Sequence, residues 1–394
     1  MFNHASSFKR IVCIAIFFLL NIGLVPNLSN KSYAANESLE NELNQNIDSI
    51  LDDVDFSCLD DTVYSVPNLN LSFKDFVKNV LSGENEFDYN SILLFIKNNI
   101  SEQFKLNLRF FVSLFVIVFL YEILKSFSEG KRSNLSSAFK LVFTFLLATS
   151  ILVFIKNFFV EIQDLVNDLF SFSEKLFPIL ISFLVLSGSA KSATVFSSFS
   201  VFLLETGSYL IKYLLLPLAL SILFLSLFGA VFSKGNFSKL IGLFKSVFRY
   251  IIIIFFAVFG LMSTINIIST TTHDGINLKL TKFALKNYIP VLGGYVSEGF
   301  DFIYSCSVMI KNAVGVCSII IILFKVLLPV IIIIVFSLSF KVLAVLTGLV
   351  GDGTFSNMFD DVSKAFSNFL SVVVGLFLIV FIFIFLVILS VGVV

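Results

Sequence analysis

Tryptophan is absent from the 394 residues; histidine occurs twice, cysteine four times and proline six times. The two histidines, His4 and His273, are isolated and cannot assemble a histidine-based metal centre, and no cysteine pair has zinc-site spacing. Cys306 and Cys317 are eleven residues apart, about three helical turns, so they could share a helix face but cannot bond within one straight helix. Catalytic signatures are missing as well: there is no HExxH, no serine elbow and no nucleotide loop. Gly351-Asp352 matches a fragment of an intramembrane aspartyl protease motif, but Leu349 stands where that motif needs glycine, and no other span supplies a partner aspartate. With no net formal charge, no enzyme, cofactor, metal or nucleic-acid partner is expected.

What the chain has in excess is apolar surface. Apolar residues make up 57% of it and the mean hydropathy is +0.97. Several runs exceed the ~18 apolar residues that mark a spanning helix, so the fold class is all-α, a polytopic helical membrane protein. The 51 phenylalanines, with abundant Ile, Asn and Lys, look like the codon bias of an AT-rich genome and carry no functional meaning.

Residues 1–35 read as a signal peptide. His4, Lys9 and Arg10 precede an apolar core from Ile11 to Val25, and Ser32-Tyr33-Ala34 offers a cleavage site; an uncleaved anchor is the alternative. Residues 36–106 hold fourteen Asp and Glu against four Lys and Arg, and form an acidic extracytoplasmic region of two or three short amphipathic helices broken at Pro67 and Gly83. Its aspartates lack calcium-loop spacing and read as a solvated face.

The polytopic membrane domain is 107–394. Six full spans are expected, at about 107–124, 139–160, 210–232, 250–269, 314–341 and 369–392. Lys125, Lys131, Arg132 and Lys140 mark one cytoplasmic loop, and Lys234, Lys239, Lys245 and Arg249 another. Glu161 to Lys175 reads as an acidic outer loop, and Gly348 to Asn368 as a loop before the last span.

Two stretches, 176–208 and 288–315, are too polar for lipid and are expected as re-entrant or interfacial segments. Pro178 in the first, and Pro290, Gly293 and Gly294 in the second, are candidate breaks or turns. On a helix, Ser187, Lys191, Thr194, Ser198, Glu205, Ser208 and Lys212 make one polar stripe; Glu298, Asp301, Ser305 and Asn312 make another, beside Lys311. Such stripes either line an aqueous path or hold helices together by hydrogen bonds. An internal repeat is also possible, 139–232 with 251–344: at an offset of 112 residues Pro178 pairs with Pro290 and Pro217 with Pro329, while Lys212 and Lys325 miss by one.

Tyr288-Ile289-Pro290-Val291-Leu292-Gly293-Gly294, with Lys311-Asn312-Ala313-Val314-Gly315 downstream, resembles the signature region of the stage III sporulation protein AE family of endospore-forming Firmicutes. The signal peptide, acidic exported segment and polytopic remainder extend the likeness over nearly the whole chain. The resemblance implies a multi-protein channel assembly between mother cell and engulfed forespore, with an ATPase and ring-forming subunits as partners. It implies a place in the mother-cell membrane that surrounds the forespore, and a role in forespore development. No functional residue carries over from it. A secondary transporter acting alone is the alternative.

Overall fold

The computed structural model describes residues 47–52, 54–63, 71–83, 89–128, 133–229, 239–264, 283, 293–351 and 353–390. The expected signal peptide, residues 265–282 and Pro290 lie outside the described residues. The chain divides into two compact units, residues 1–48 and residues 49–394, and the helical bundle belongs to the second.

Among the described residues there are helices and no strand. A helical stretch at 47–52 and two short helices, α1 (Ser57–Val63) and α2 (Phe73–Ser82), precede the long ones. The start and stop of α2 are local: Ser72 accepts a hydrogen bond from the Asp75 N–H, and Gly83 at φ 76° supplies the left-handed residue that ends it. Then come α3 (Tyr89–Ser128), α4 (Ser133–Leu186), α5 (Ala190–Phe228), α6 (Lys239–Thr264), α7 (Gly293–Val350) and α8 (Thr354–Leu389). Each contains a stretch long and apolar enough to cross a membrane, six in all among the described residues.

Each expected span overlaps one of these helices; those at about 107–124, 139–160 and 314–341 sit wholly inside longer ones, and residues 230–232, 265–269 and 391–392 of the other three lie outside the described residues. α4 has 54 residues and α7 has 58, about 80 to 87 Å of helix against ~30 Å of hydrocarbon. The acidic stretch Glu161–Lys175, expected as a loop, is the middle of α4. The semi-polar stretch 176–208 is the end of α4, a turn at 187–189 and the start of α5, and 293–315 runs without interruption into the span of α7. The 348–368 loop shrinks to a turn around Gly351 and Gly353. Hydropathy marks where a helix meets lipid; backbone hydrogen bonding carries the same helix on past that point.

Pro178 lies inside α4 rather than at a break. A helical proline removes one backbone bond and crowds the preceding turn, and neighbouring packing holds the helix through it. Pro217 leaves a clearer mark. The turn just before it, Ile211–Leu215, is a π-turn, and the Leu216 N–H reaches the Ile211 carbonyl. Pro329 likewise lies inside α7.

α7 and α8 form a hairpin, and α8 is the core. Of its most apolar window 56% is buried, against 22% for that of α3. A helix apolar all round is one surrounded by others, which is why the C-terminal run is so uniformly hydrophobic. Phenylalanine layers stack along the bundle. Phe158, Phe336 and Phe340 meet Phe366 near one end, and Phe177, Phe196 and Phe199 meet Phe383 further along. Tyr121 packs on Phe143 and Phe355 beside the α7–α8 turn. α1 joins the other end through Phe56, which stacks near Phe73 and Phe183.

Candidate functional site

The polar stripe is divided: Ser187, in the turn before α5, is buried with its hydroxyl on the Leu184 carbonyl and Ser208 is half-buried, while the part on α5 from Lys191 to Glu205 faces outward. Lys191, Thr194, Ser198 and Glu205 are exposed, whereas Ser192, Ala193, Phe196, Phe199, Leu203 and Gly207 pack inward. The hydroxyls of Thr194 and Ser198 bond to carbonyls of their own helix, those of Ala190 and Thr194. Within this chain the Lys191–Glu205 part of the stripe therefore does not face the bundle interior, and the Thr194 and Ser198 hydroxyls join no second helix. Lys212 at its lower end is half-buried and holds its ammonium 5.4 Å from the centre of the Phe170 ring on α4.

α4 adds charges on its own outer face: Glu161, Asp164, Asp168 and Glu174 are exposed. Asp168 meets Lys325 of α7 at 3.8 Å, with the lysine side chain 13% exposed and the aspartate 65%. So Lys212 and Lys325, one position off register in the repeat, both reach the same turn of α4, Asp168 to Phe170.

The second stripe is divided. Asp301 and Asn312 are half-buried and Ser305 is exposed, its hydroxyl bonded to the Asp301 carbonyl. Oδ1 of Asn312 is buried without a hydrogen-bond partner. Gly293 and Gly294 open α7, and the side chain of Glu298 lies outside the described residues.

The most consequential polar group of this region was not among the candidate site residues. Lys311 is fully buried, and its Nζ donates to the carbonyls of Val387 and Ile388 at 2.9 and 3.0 Å. These belong to the last turn of α8, where carbonyls lack intrahelical partners and the helix dipole favours a cation. The signal was there in the sequence, a lone lysine in an apolar setting, but its partner lies more than seventy residues away. Gly315, one turn along α7, keeps the approach close; a Cβ there would come within 2.7 Å of Ile388. Among the described residues no group of three or more His, Cys, Asp or Glu is placed to hold a metal ion.

Six apolar helices among the described residues, each long enough to cross a bilayer, define a multi-pass helical membrane protein. The family model for stage III sporulation protein AE matches residues 71–392, and the chain belongs to that family, which gives it a role in sporulation. It is 28% identical over 195 residues to the stage III sporulation protein AE of Bacillus subtilis (strain 168), a match that spans 50% of this chain and 49% of that relative. No solved structure matches.

Proposed function

We propose that this protein is a membrane component of the channel between mother cell and forespore, a scaffold or conduit rather than an enzyme. It sits in the mother-cell membrane around the forespore, with residues 36–106 on the extracytoplasmic side, and works with an ATPase and ring-forming subunits. The observation that supports this reading, beside the family, is the outward charge on apolar helices: Glu161, Asp164 and Asp168 on α4, and Lys191 and Glu205 on α5. These residues flank the apolar spans at about 139–160 and 210–232, and charged faces on helices that continue past lipid want protein or water over them. A chain that functions inside an assembly supplies that cover from its partners.

The test is a deletion strain complemented by this chain. Arrest of forespore development on deletion, rescued by the wild type, is the expected result; normal sporulation without the gene overturns the proposal. The paired Pro217 and Pro329 favour a second reading, a transporter built on the repeat. Solute movement by the purified protein alone in liposomes would favour it.

A further inference from the structure

Ring contacts fix the relative heights of the helices. Phe158 of α4 is level with Phe336 of α7 and Phe366 of α8, and Phe154 with Phe111 of α3. Phe177 of α4 is level with Phe383, which meets Phe199 of α5, and Phe199 stacks on Phe259 of α6. Take Phe158 as zero, the C-terminal end of α4 as up, and 1.5 Å per residue. On the α3–α4 flank the exposed apolar residues then lie low. Val112, Val116, Phe119 and Phe127 on α3, with Leu141, Phe145 and Val153 on α4, sit about 8 to 30 Å below zero. From Lys156 upward α4 turns charged: Lys156, Glu161, Asp164, Asp168, Glu174 and Lys175 are all exposed, from about 3 Å below zero to 26 Å above. Exposed Arg109, Lys105, Glu102 and Lys97 of α3 accompany them. The α6–α8 flank reverses this order. Asn357 and Lys364 of α8 are exposed, with half-buried Asp360 and Asp361 between them, about 3 to 14 Å below zero. Exposed Lys239 and Arg249 bound a mixed face on lower α6. Above them Tyr250, Ile253, Ile254, Val258 and Leu261 are exposed without a charge among them, at about 15 to 31 Å.

We propose that the bundle leans in the bilayer, so that one inclined slab of hydrocarbon meets the lower halves of α3 and α4 and the upper half of α6. An upright bundle would put charge into lipid on one flank at either height, which is costly. The helices between the flanks follow the same incline. The exposed residues of α5 below Tyr213, namely Leu214, Pro217 and Phe224, are uncharged and sit at about −9 to 6 Å, between the two belts. α7 packs on both α3 and α8, and its apolar run 314–341 reaches from about 8 Å below zero to 33 Å above, joining the belts. At about 42 Å that run exceeds the ~30 Å of hydrocarbon, and an overlong span is accommodated by tilting. Basic residues mark one rim of the slab on both flanks: Lys125 and Lys140 low on α3 and α4, Lys239, Arg249 and Lys364 higher on α6 and α8. Protein cover would need two partner faces of opposite character at two heights, whereas one plane accounts for both. A lean beyond the ~20° average of membrane helices follows, and it lifts Glu161 to Lys175 of α4 out of the lipid to where water or an assembly partner reaches them. The lean rests on the membrane class and stands apart from the channel reading, because the purified chain alone answers it.

The experiment uses the purified full chain in liposomes, with Cys13, Cys58, Cys306 and Cys317 replaced by serine and a fluorophore on one introduced cysteine. Lipids brominated on their acyl chains quench a fluorophore that touches hydrocarbon. Two pairs of sites share a height. Ile254→Cys on α6 and Ser171→Cys on α4 lie about 20 Å above zero, and Phe119→Cys on α3 and Asn357→Cys on α8 about 14 to 18 Å below it. All four side chains are exposed, so the core is untouched, and a single elution peak in detergent checks the fold. Ile254 and Phe119 are expected to lose most of their emission in the brominated lipid, and Ser171 and Asn357 to keep most of theirs. Quenching that follows height, with Phe119 and Asn357 alike and Ile254 and Ser171 alike, means an upright bundle and overturns the proposal. Emission retained at Ile254 while Phe119 is quenched gives the α6 face to protein or water, and overturns it as well.

Discussion

The ammonium of Lys311 sits 2.9 Å from the carbonyl oxygen of Val387, so a charge in the middle of one apolar helix closes the end of another. Removing it leaves buried carbonyls with one partner fewer. Lys311→Met should destabilise the fold by roughly 1–3 kcal/mol and loosen the end of α8 first. Thermal unfolding in detergent, with protease cleavage at an engineered site after Ser390, measures both. An unchanged transition with an unchanged C-terminus would show that the cap contributes nothing.

Gly315 tests the same contact from the backbone. A methyl group at this position must push Ile388 aside, at a cost of about 1–3 kcal/mol for overpacking. Ile388→Val, which removes one methyl, should recover part of that loss in the double variant. Additive losses would mean that the strain is relieved elsewhere.

Phe383 is where α4 and α5 meet α8. Its ring lies 3.9 Å from that of Phe177 and about 6 Å from those of Phe196 and Phe199. Phe383→Ala is expected to cost about 3–5 kcal/mol, in the range of large-to-small core changes. Phe385→Ala, on the more exposed side of the same helix, should cost far less. Equal effects on the unfolding temperature would sink the assignment of α8 as core.

Two aspartates predict the acid response of the short N-terminal helices. Lys74 donates a hydrogen bond to Asp52, and this bond together with the ammonium's charge holds the Asp52 carboxyl below the usual carboxylate range. Hydrogen bonds from the side chain and backbone of Ser57 do the same for Asp55. A carboxylate whose folded pKa is depressed stabilises the fold above its unfolded value, near ~3.9, and that contribution is lost as pH falls through the folded value. Protection of residues 71–82 from hydrogen exchange should therefore fall below about pH 4, after correction for intrinsic rates. In Asp52→Asn this pH step should shrink; a step of full size would place its cause elsewhere.

Neighbouring positions on α7 should differ in accessibility. Ser305 is exposed and Cys306 is buried. In a chain whose native cysteines are replaced, Ser305→Cys should react with a small thiol reagent much faster than the native thiol retained alone at Cys306. Comparable rates would show that this stretch of α7 does not hold the packing described.

Parts of this architecture were legible locally. The cap at Ser72 and the stop at Gly83 depend on residues within one turn. The spans follow from hydropathy, because a membrane admits only segments that satisfy their own backbone. Loops and breaks were harder to read. The four acidic residues between Glu161 and Lys175 have the composition of a loop, but an exposed helix face carries charge equally well. Pro178 looked like a break because its missing bond is local and the packing that offsets it is not.

The sequence by itself determined the all-helical membrane class, the six apolar spans and the polar stripe on α5, since composition and period are properties of neighbouring residues. The tertiary structure decided which way each stripe faces and whom each buried charge meets. Lys191 and Glu205 point outward because the opposite side of α5 packs through Phe196 and Phe199. Lys311 became a helix cap because a hairpin brings α7 against the end of α8. Both outcomes depend on contacts between residues far apart in the chain, and periodicity does not carry that information.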